Sequence, residues 1–184
     1  MNSHFKLLYE NGFISVDEHI PTGYTVVRCT DAIAILIHVK GRGILLVEQD
    51  RPAMITKDNP TGTLIEAVAG RFDVNLSPAA LAVKEIEEEV GGAVQEDQIV
   101  FLNEGVPLAA GPGLITDKIV LAYAELNEAQ VEKDERTFGH AEEGEKIRRL
   151  FVPLAELGDM TFHDMKTYAL VQWFLRNHDT ERAE

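Results

Sequence analysis

Four glutamates stand within residues 85–89, in the run Lys84-Glu85-Ile86-Glu87-Glu88-Glu89-Val90-Gly91. The residues around them leave little choice of backbone. Ala82, Val83, Ile86 and Val90 recur at helical spacing and form an apolar stripe. Ser77-Pro78 supplies an N-cap followed by a residue whose missing N–H is no loss in the first turn. Gly91-Gly92 ends the segment where a left-handed residue is expected. On such a helix Glu85, Glu88 and Glu89 share one face, and Glu87 points elsewhere. Like charges at that spacing repel by roughly 0.2–0.5 kcal/mol per exposed pair. Two arrangements accommodate them. One is a solvated acidic face. The other is a bound divalent cation, for which hard Mg²⁺ suits carboxylate oxygens and bridges them to substrate phosphates.

The residues upstream bear on that choice. The run Thr63 to Ala69 is strand-like and closes at Gly70, so a strand, a glycine turn and a helix lead to the carboxylates. Gly70, Lys84-Glu85-Ile86, Glu88-Glu89 and Gly91 resemble the Nudix box. That pattern is a glycine, five residues, a glutamate, seven residues, then Arg-Glu-aliphatic-x-Glu-Glu-x-Gly-aliphatic. The spacing from Gly70 to Gly91 holds without a gap. Three positions depart from it: Leu76 replaces glutamate, Lys84 replaces arginine and Gly92 replaces an aliphatic residue. In the family the first glutamate and the arginine mainly brace the loop and helix, so the resemblance implies an intact ligand set.

The chain has 184 residues, 45% of them apolar, enough for one compact domain with a sizeable core. No apolar run reaches membrane-spanning length, and Met1 to Glu10 lacks the features of a signal peptide. Cys29 is the single cysteine, which excludes an internal disulfide framework and a cysteine-based zinc site. The expectation is a cytoplasmic protein. A net charge of −14 argues against broad binding to nucleic acid or anionic membrane.

Taken in order, Phe5–Tyr9 and Phe13–His19 flank Asn11-Gly12 and read as a hairpin. Strands are expected over Tyr24–Cys29, Ala32–Val39, Ile44–Gln49, Thr63–Ala69, Ile99–Leu108, Ile115–Leu126 and Ile147–Leu154. A short helix is expected at Pro153–Leu157 and a longer one over Phe162–Leu175. Asn127–Glu145 reads as a polar, acidic loop. The expected class is α/β (α+β): a mixed sheet between helices, with an N-terminal β-hairpin extension. Residues 1–23 form that extension and residues 24–184 the main domain. The six histidines show no metal-ligand spacing. Arg51 is either a surface arginine or a fork for phosphate oxygens.

A wider resemblance covers about residues 24–178, to the Nudix branch that hydrolyses ADP-ribose and nucleoside diphosphate sugars. It rests on Val47-Glu48-Gln49-Asp50-Arg51-Pro52, Glu66-Ala67-Val68-Ala69-Gly70, Pro112-Gly113-Leu114-Ile115-Thr116-Asp117 and Glu142-Glu143-Gly144-Glu145-Lys146-Ile147, and on Met165-Lys166-Thr167 with Trp173-Phe174-Leu175. The resemblance implies the following roles. The Ala69 carbonyl, Glu85, Glu89 and Glu145 hold Mg²⁺, with Mn²⁺ as the alternative ion, and Glu88 is a ligand or orients water. Arg28, Arg51, Glu66 and Asp117 bind substrate, Asp117 at the terminal sugar. Glu143 is the catalytic base. The hairpin contributes to a homodimer. The implied reaction is hydrolysis of a diphosphate to a nucleoside monophosphate and a sugar phosphate. The alternatives are a Nudix-fold binding module without turnover, or hydrolysis of another nucleotide.

Overall fold

The structure, a computed structural model, describes residues 4–72, 75–133, 137–139 and 146–178. Its centre is strand β4 (Ala32–Val39), in which Ile33 through Ile37 have no exposed surface. Successive side chains of a strand point to opposite faces. Ile33, Ile35 and Ile37 accordingly enter one core, and Ala34 and Leu36 enter another. The continuous apolar run therefore marks a strand covered on both sides. Each fully buried Ile or Leu contributes roughly 1.5–3 kcal/mol.

Around β4 lie β5 (Gly43–Asp50), β6 (Thr63–Glu66), β7 (Val68–Arg71), β8 (Ile99–Phe101), β9 (Leu108–Ala109), β10 (Lys118–Leu126) and β11 (Arg148–Val152). The order across the sheet is β11-β5-β4-β10-β8, with β6 on β5, β7 on β4 and β9 on β10. β4 and β10 run parallel and the other pairs antiparallel, which makes the sheet mixed. Helix α1 (Pro78–Val90) covers one face through Leu81, Ala82, Ile86 and Val90. Helix α3 (Met165–Asn177) covers the other through Leu170, Val171 and Phe174, after the short α2 (Leu154–Leu157). The helix–sheet–helix layering is the one expected. α1 begins and ends as its sequence predicts: Ser77 Oγ accepts from the Ala80 N–H at 3.0 Å, and Gly91 sits at φ +62°.

Four stretches differ from expectation. The run Thr63–Ala69 is two strands, because at Ala67 the chain leaves β5 and joins β4. The Ala67 N–H donates instead to Thr167 Oγ1 on α3, at 2.7 Å. The stretch Ile99–Leu108 is broken by a turn at Leu102–Gly105, with Asn103 and Glu104 at φ +50° and +55°. Ile115–Asp117 precede β10 rather than belong to it. Main-chain bonds between Val27 and Leu114 and between Thr116 and Val27, at 2.8 and 3.0 Å, hold that segment to the N-terminal sheet. The last helix starts at Met165, where the Asp164 side chain caps it, and not at Phe162.

The N-terminal hairpin is β1 (Phe5–Glu10) and β2 (Ser15–His19), joined by a turn in which Asn11 Oδ1 accepts from Phe13 and Ile14 at 2.8 and 2.9 Å. Strand β3 (Tyr24–Arg28) pairs with β2 and makes it a three-stranded antiparallel sheet. Among the described residues, no helix is long and apolar enough to cross a membrane.

Candidate active site

The parallel strands β4 and β10 both begin beside a cleft of about 560 Å³, with Ala32 and Ile119 in its wall. α1 supplies one side. Glu85, Glu88 and Glu89 line the cleft, and Glu87 is exposed and outside it. Glu89 is 6% exposed, an unusual depth for a carboxylate. Strand β7 meets these acids with Ala69 and Gly70. Gly70 is needed for close approach: a Cβ there would fall 2.2 Å from Glu85 Cδ and Oε1. Lys84 lies on the same helix face, with its Nζ 2.5 Å from Glu88 Oε2 and 3.7 Å from Glu85 Oε1. It offsets the like-charge repulsion within the helix.

The opposite side is cationic. Arg51 and Lys166 line the cleft, and both are held by one carboxylate. Glu66 Oε1 accepts from Arg51 Nε at 2.6 Å, and Glu66 Oε2 accepts from Lys166 Nζ at 2.5 Å. Glu66 is 2% exposed and does not line the cleft. It braces the two cations and does not face the cavity. Lys166 also pairs with Asp164 Oδ1 at 3.0 Å. Arg71 adds a third cation to the wall. Asp117 completes it, and its buried Oδ1 accepts no hydrogen bond among the described residues. Nearby, burial raises the Cys29 thiol pKa first, and the Asp117 charge adds to this while Arg71 opposes it. Cys29 is therefore a neutral thiol at neutral pH.

Of the residues expected at the site, the cleft thus brings together Ala69, Glu85, Glu88, Glu89, Arg51 and Asp117. Glu143 and Glu145 lie outside the described residues. Arg28 is not in the cleft wall. Its Nε donates to Asp17 Oδ2 within the N-terminal sheet, and its guanidinium lies 4.7 Å from the centre of the Phe5 ring. Lys166, Asp164 and Arg71 were not expected at the site. For Lys166 there was a usable signal. A lysine in the first turn of a helix opposes the macrodipole and points to a specific acidic partner.

The donor set fits a hard divalent cation: carboxylates and a main-chain carbonyl, with no cysteine or histidine among the lining residues. Among the described residues, no three His, Cys, Asp or Glu side chains already converge as a cage. The cleft therefore offers oxygen ligands from α1 and β7 together with the cations Arg51, Arg71 and Lys166. That combination suits a diphosphate, whose oxygens can engage a bound metal and these side chains alike.

Compared with known proteins, residues 28–174 match a family model described as the NUDIX domain. A GDP-mannose pyrophosphatase of Cronobacter sakazakii (strain ATCC BAA-894) is 32% identical over 149 residues, spanning 79% of this chain and 73% of that protein. A GDP-mannose pyrophosphatase of Enterobacter sp. (strain 638) is 31% identical over 150 residues, with the same shares covered.

Proposed function

The chain belongs to the NUDIX family of pyrophosphohydrolases, and from that premise we propose that it hydrolyses the diphosphate bond of a nucleoside diphosphate sugar of the GDP-mannose kind, with Mg²⁺. One observation carries the substrate class. The α1 carboxylates face Arg51 and Lys166 across a single cleft, with Asp117 beside them. The named relatives support the choice of sugar nucleotide over ADP-ribose.

In this reading Glu85, Glu88, Glu89 and the Ala69 carbonyl hold Mg²⁺. Bound there, the ion supplies neutralisation of the diphosphate charge and lowers the pKa of a water. Arg51 and Lys166 grip the phosphate oxygens and hold one phosphorus in line for attack. The open Oδ1 of Asp117 accepts a hydroxyl of the terminal sugar. Glu143, by resemblance, takes the proton of the attacking water. Water adds to one phosphorus as the P–O–P bond breaks, giving a nucleoside monophosphate and a sugar phosphate. Positioning and electrostatics supply most of the rate.

A hydrolysis panel of GDP-mannose, ADP-ribose, ADP-glucose and UDP-glucose with and without Mg²⁺ tests this, with both products identified. GDP-mannose should show the highest kcat/KM and yield GMP and mannose 1-phosphate. A preference for ADP-ribose would move the enzyme to a different substrate within the same chemistry. No turnover of any member would refute the assignment.

A further inference from the structure

The break in the strand at Ala67 lies beside a closed ring of polar contacts. Thr167 has no exposed surface. Its Oγ1 accepts the Ala67 N–H at 2.7 Å and donates to Asp164 Oδ2 at 2.5 Å. That same oxygen accepts the Thr167 N–H at 2.9 Å and so caps α3. The other oxygen of Asp164 holds Lys166, which shares Glu66 with Arg51. Glu66 precedes Ala67 in the chain, which closes the ring.

Two parts of the cleft depend on this ring. On one side, β7 exists as a strand of β4 only because the chain crosses over at Ala67. The crossing sets Ala69 opposite Ala34 and Gly70 opposite Ile33. On the other, the first turn of α3 carries Lys166 into the cleft wall. A main-chain N–H displaced from its ladder and buried needs another acceptor, and the Thr167 hydroxyl is that acceptor.

We propose that Thr167 is a positioning residue that sets the oxygen-ligand wall and the phosphate-gripping wall at once, by joining the strand break to the α3 cap. The inference rests on the cleft's reading as a metal-dependent diphosphate site. Thr167 touches neither substrate nor metal. Its effect passes through Ala67 to the Ala69 carbonyl, and through Asp164 to Lys166.

Thr167→Val keeps the shape and removes the hydroxyl. It should weaken Mn²⁺ binding, measured by electron paramagnetic resonance without substrate, by about 10–100-fold, the usual effect of removing a supporting group. It should also raise KM for GDP-mannose by a similar factor. Thr167→Ser should restore both. Lys166→Met should raise KM and leave Mn²⁺ affinity unchanged, because it cuts one arm of the ring only. A Thr167→Val enzyme that binds Mn²⁺ and GDP-mannose like the wild type would overturn the proposal. So would a variant that lowers Tm and moves neither constant. If Thr167→Val does not fold, amide exchange at Ala67 in the wild type decides. Slow exchange supports the bond to Thr167, and exchange at the rate of an open loop overturns it. Wild-type protein that neither binds Mn²⁺ nor hydrolyses any sugar nucleotide would fail the reading of the cleft itself, and the proposal with it.

Discussion

Gly70 carries more of the site than its size suggests. The backbone there is ordinary, so the constraint is space alone. A methyl group would sit 2.2 Å from the Glu85 carboxyl and force it out of the cleft. Gly70→Ala should therefore fold with a Tm near that of the wild type. Its Mn²⁺ affinity should fall by about 10–100-fold, as when a ligand's support is lost; scanning calorimetry of the purified variant reads the Tm and titration calorimetry the affinity. For Glu143 the expectation is different. Glu143→Gln should lower kcat by on the order of 10²–10⁴ with KM and metal affinity little changed. Full kcat at saturating Mg²⁺ would move the base to Glu88 or Glu85. The site was legible wherever its residues share one local element. The spacing of Glu85, Glu88 and Glu89 and the glycine before them required no tertiary information. Lys166 was harder, because only the docking of α3 brings it to Arg51. Glu66 was legible as a site residue but not as a buried brace, since its burial depends on what covers it. Arg28 shows the same limit: the strand register, not the local sequence, gives it Asp17 as a partner.

At the scale of elements, the ends of β4 and β10 away from the cleft are tied by Lys40 and Glu125, whose charged atoms are 2.6 Å apart. The hydrogen bond from Lys40 lowers the Glu125 pKa below 4.5, against a smaller opposing effect of burial. A folded pKa below the unfolded one gives stability that is present above about 4.5 and is lost as pH falls through the folded value. Glu125 is 34% exposed and Lys40 56%, so solvent screening keeps the contribution below about 1 kcal/mol. Glu125→Gln should lower Tm by a degree or two at neutral pH, roughly as such a difference implies, and the gap should close in acid. Thermal melts of both proteins across that range check it. The elements themselves were read well where periodicity was strong and caps were explicit, as in α1 and β4. They were read poorly where one apolar run serves two partners. Thr63–Ala69 looks like one strand because nothing local announces that Thr167 will intercept Ala67.

At the scale of the molecule, the N-terminal sheet is unlike the rest. Leu7, Leu8 and Tyr9 are 55%, 49% and 54% exposed, so β1 is uncovered on both faces. Phe13 and Ile20 add 69% and 55%. Apolar surface gathered in this way is characteristic of an interface. We expect a homodimer closed through this sheet. Light scattering should give twice the 20.4 kDa chain mass, and Leu7→Lys with Tyr9→Lys should halve it. A wild-type monomer at micromolar concentration would refute the interface. The parallel pairing of β4 with β10 has its own consequence during synthesis. His38 and Tyr123 touch in the folded protein but are 85 residues apart along the chain. At a translation rate of about 5–20 residues per second, β4 waits several seconds for its neighbour. During that interval the most apolar strand of the protein has an open flank. An open strand edge is a template for pairing with other chains, and the yield of native protein should depend on how soon β5 and β7 cover the other side.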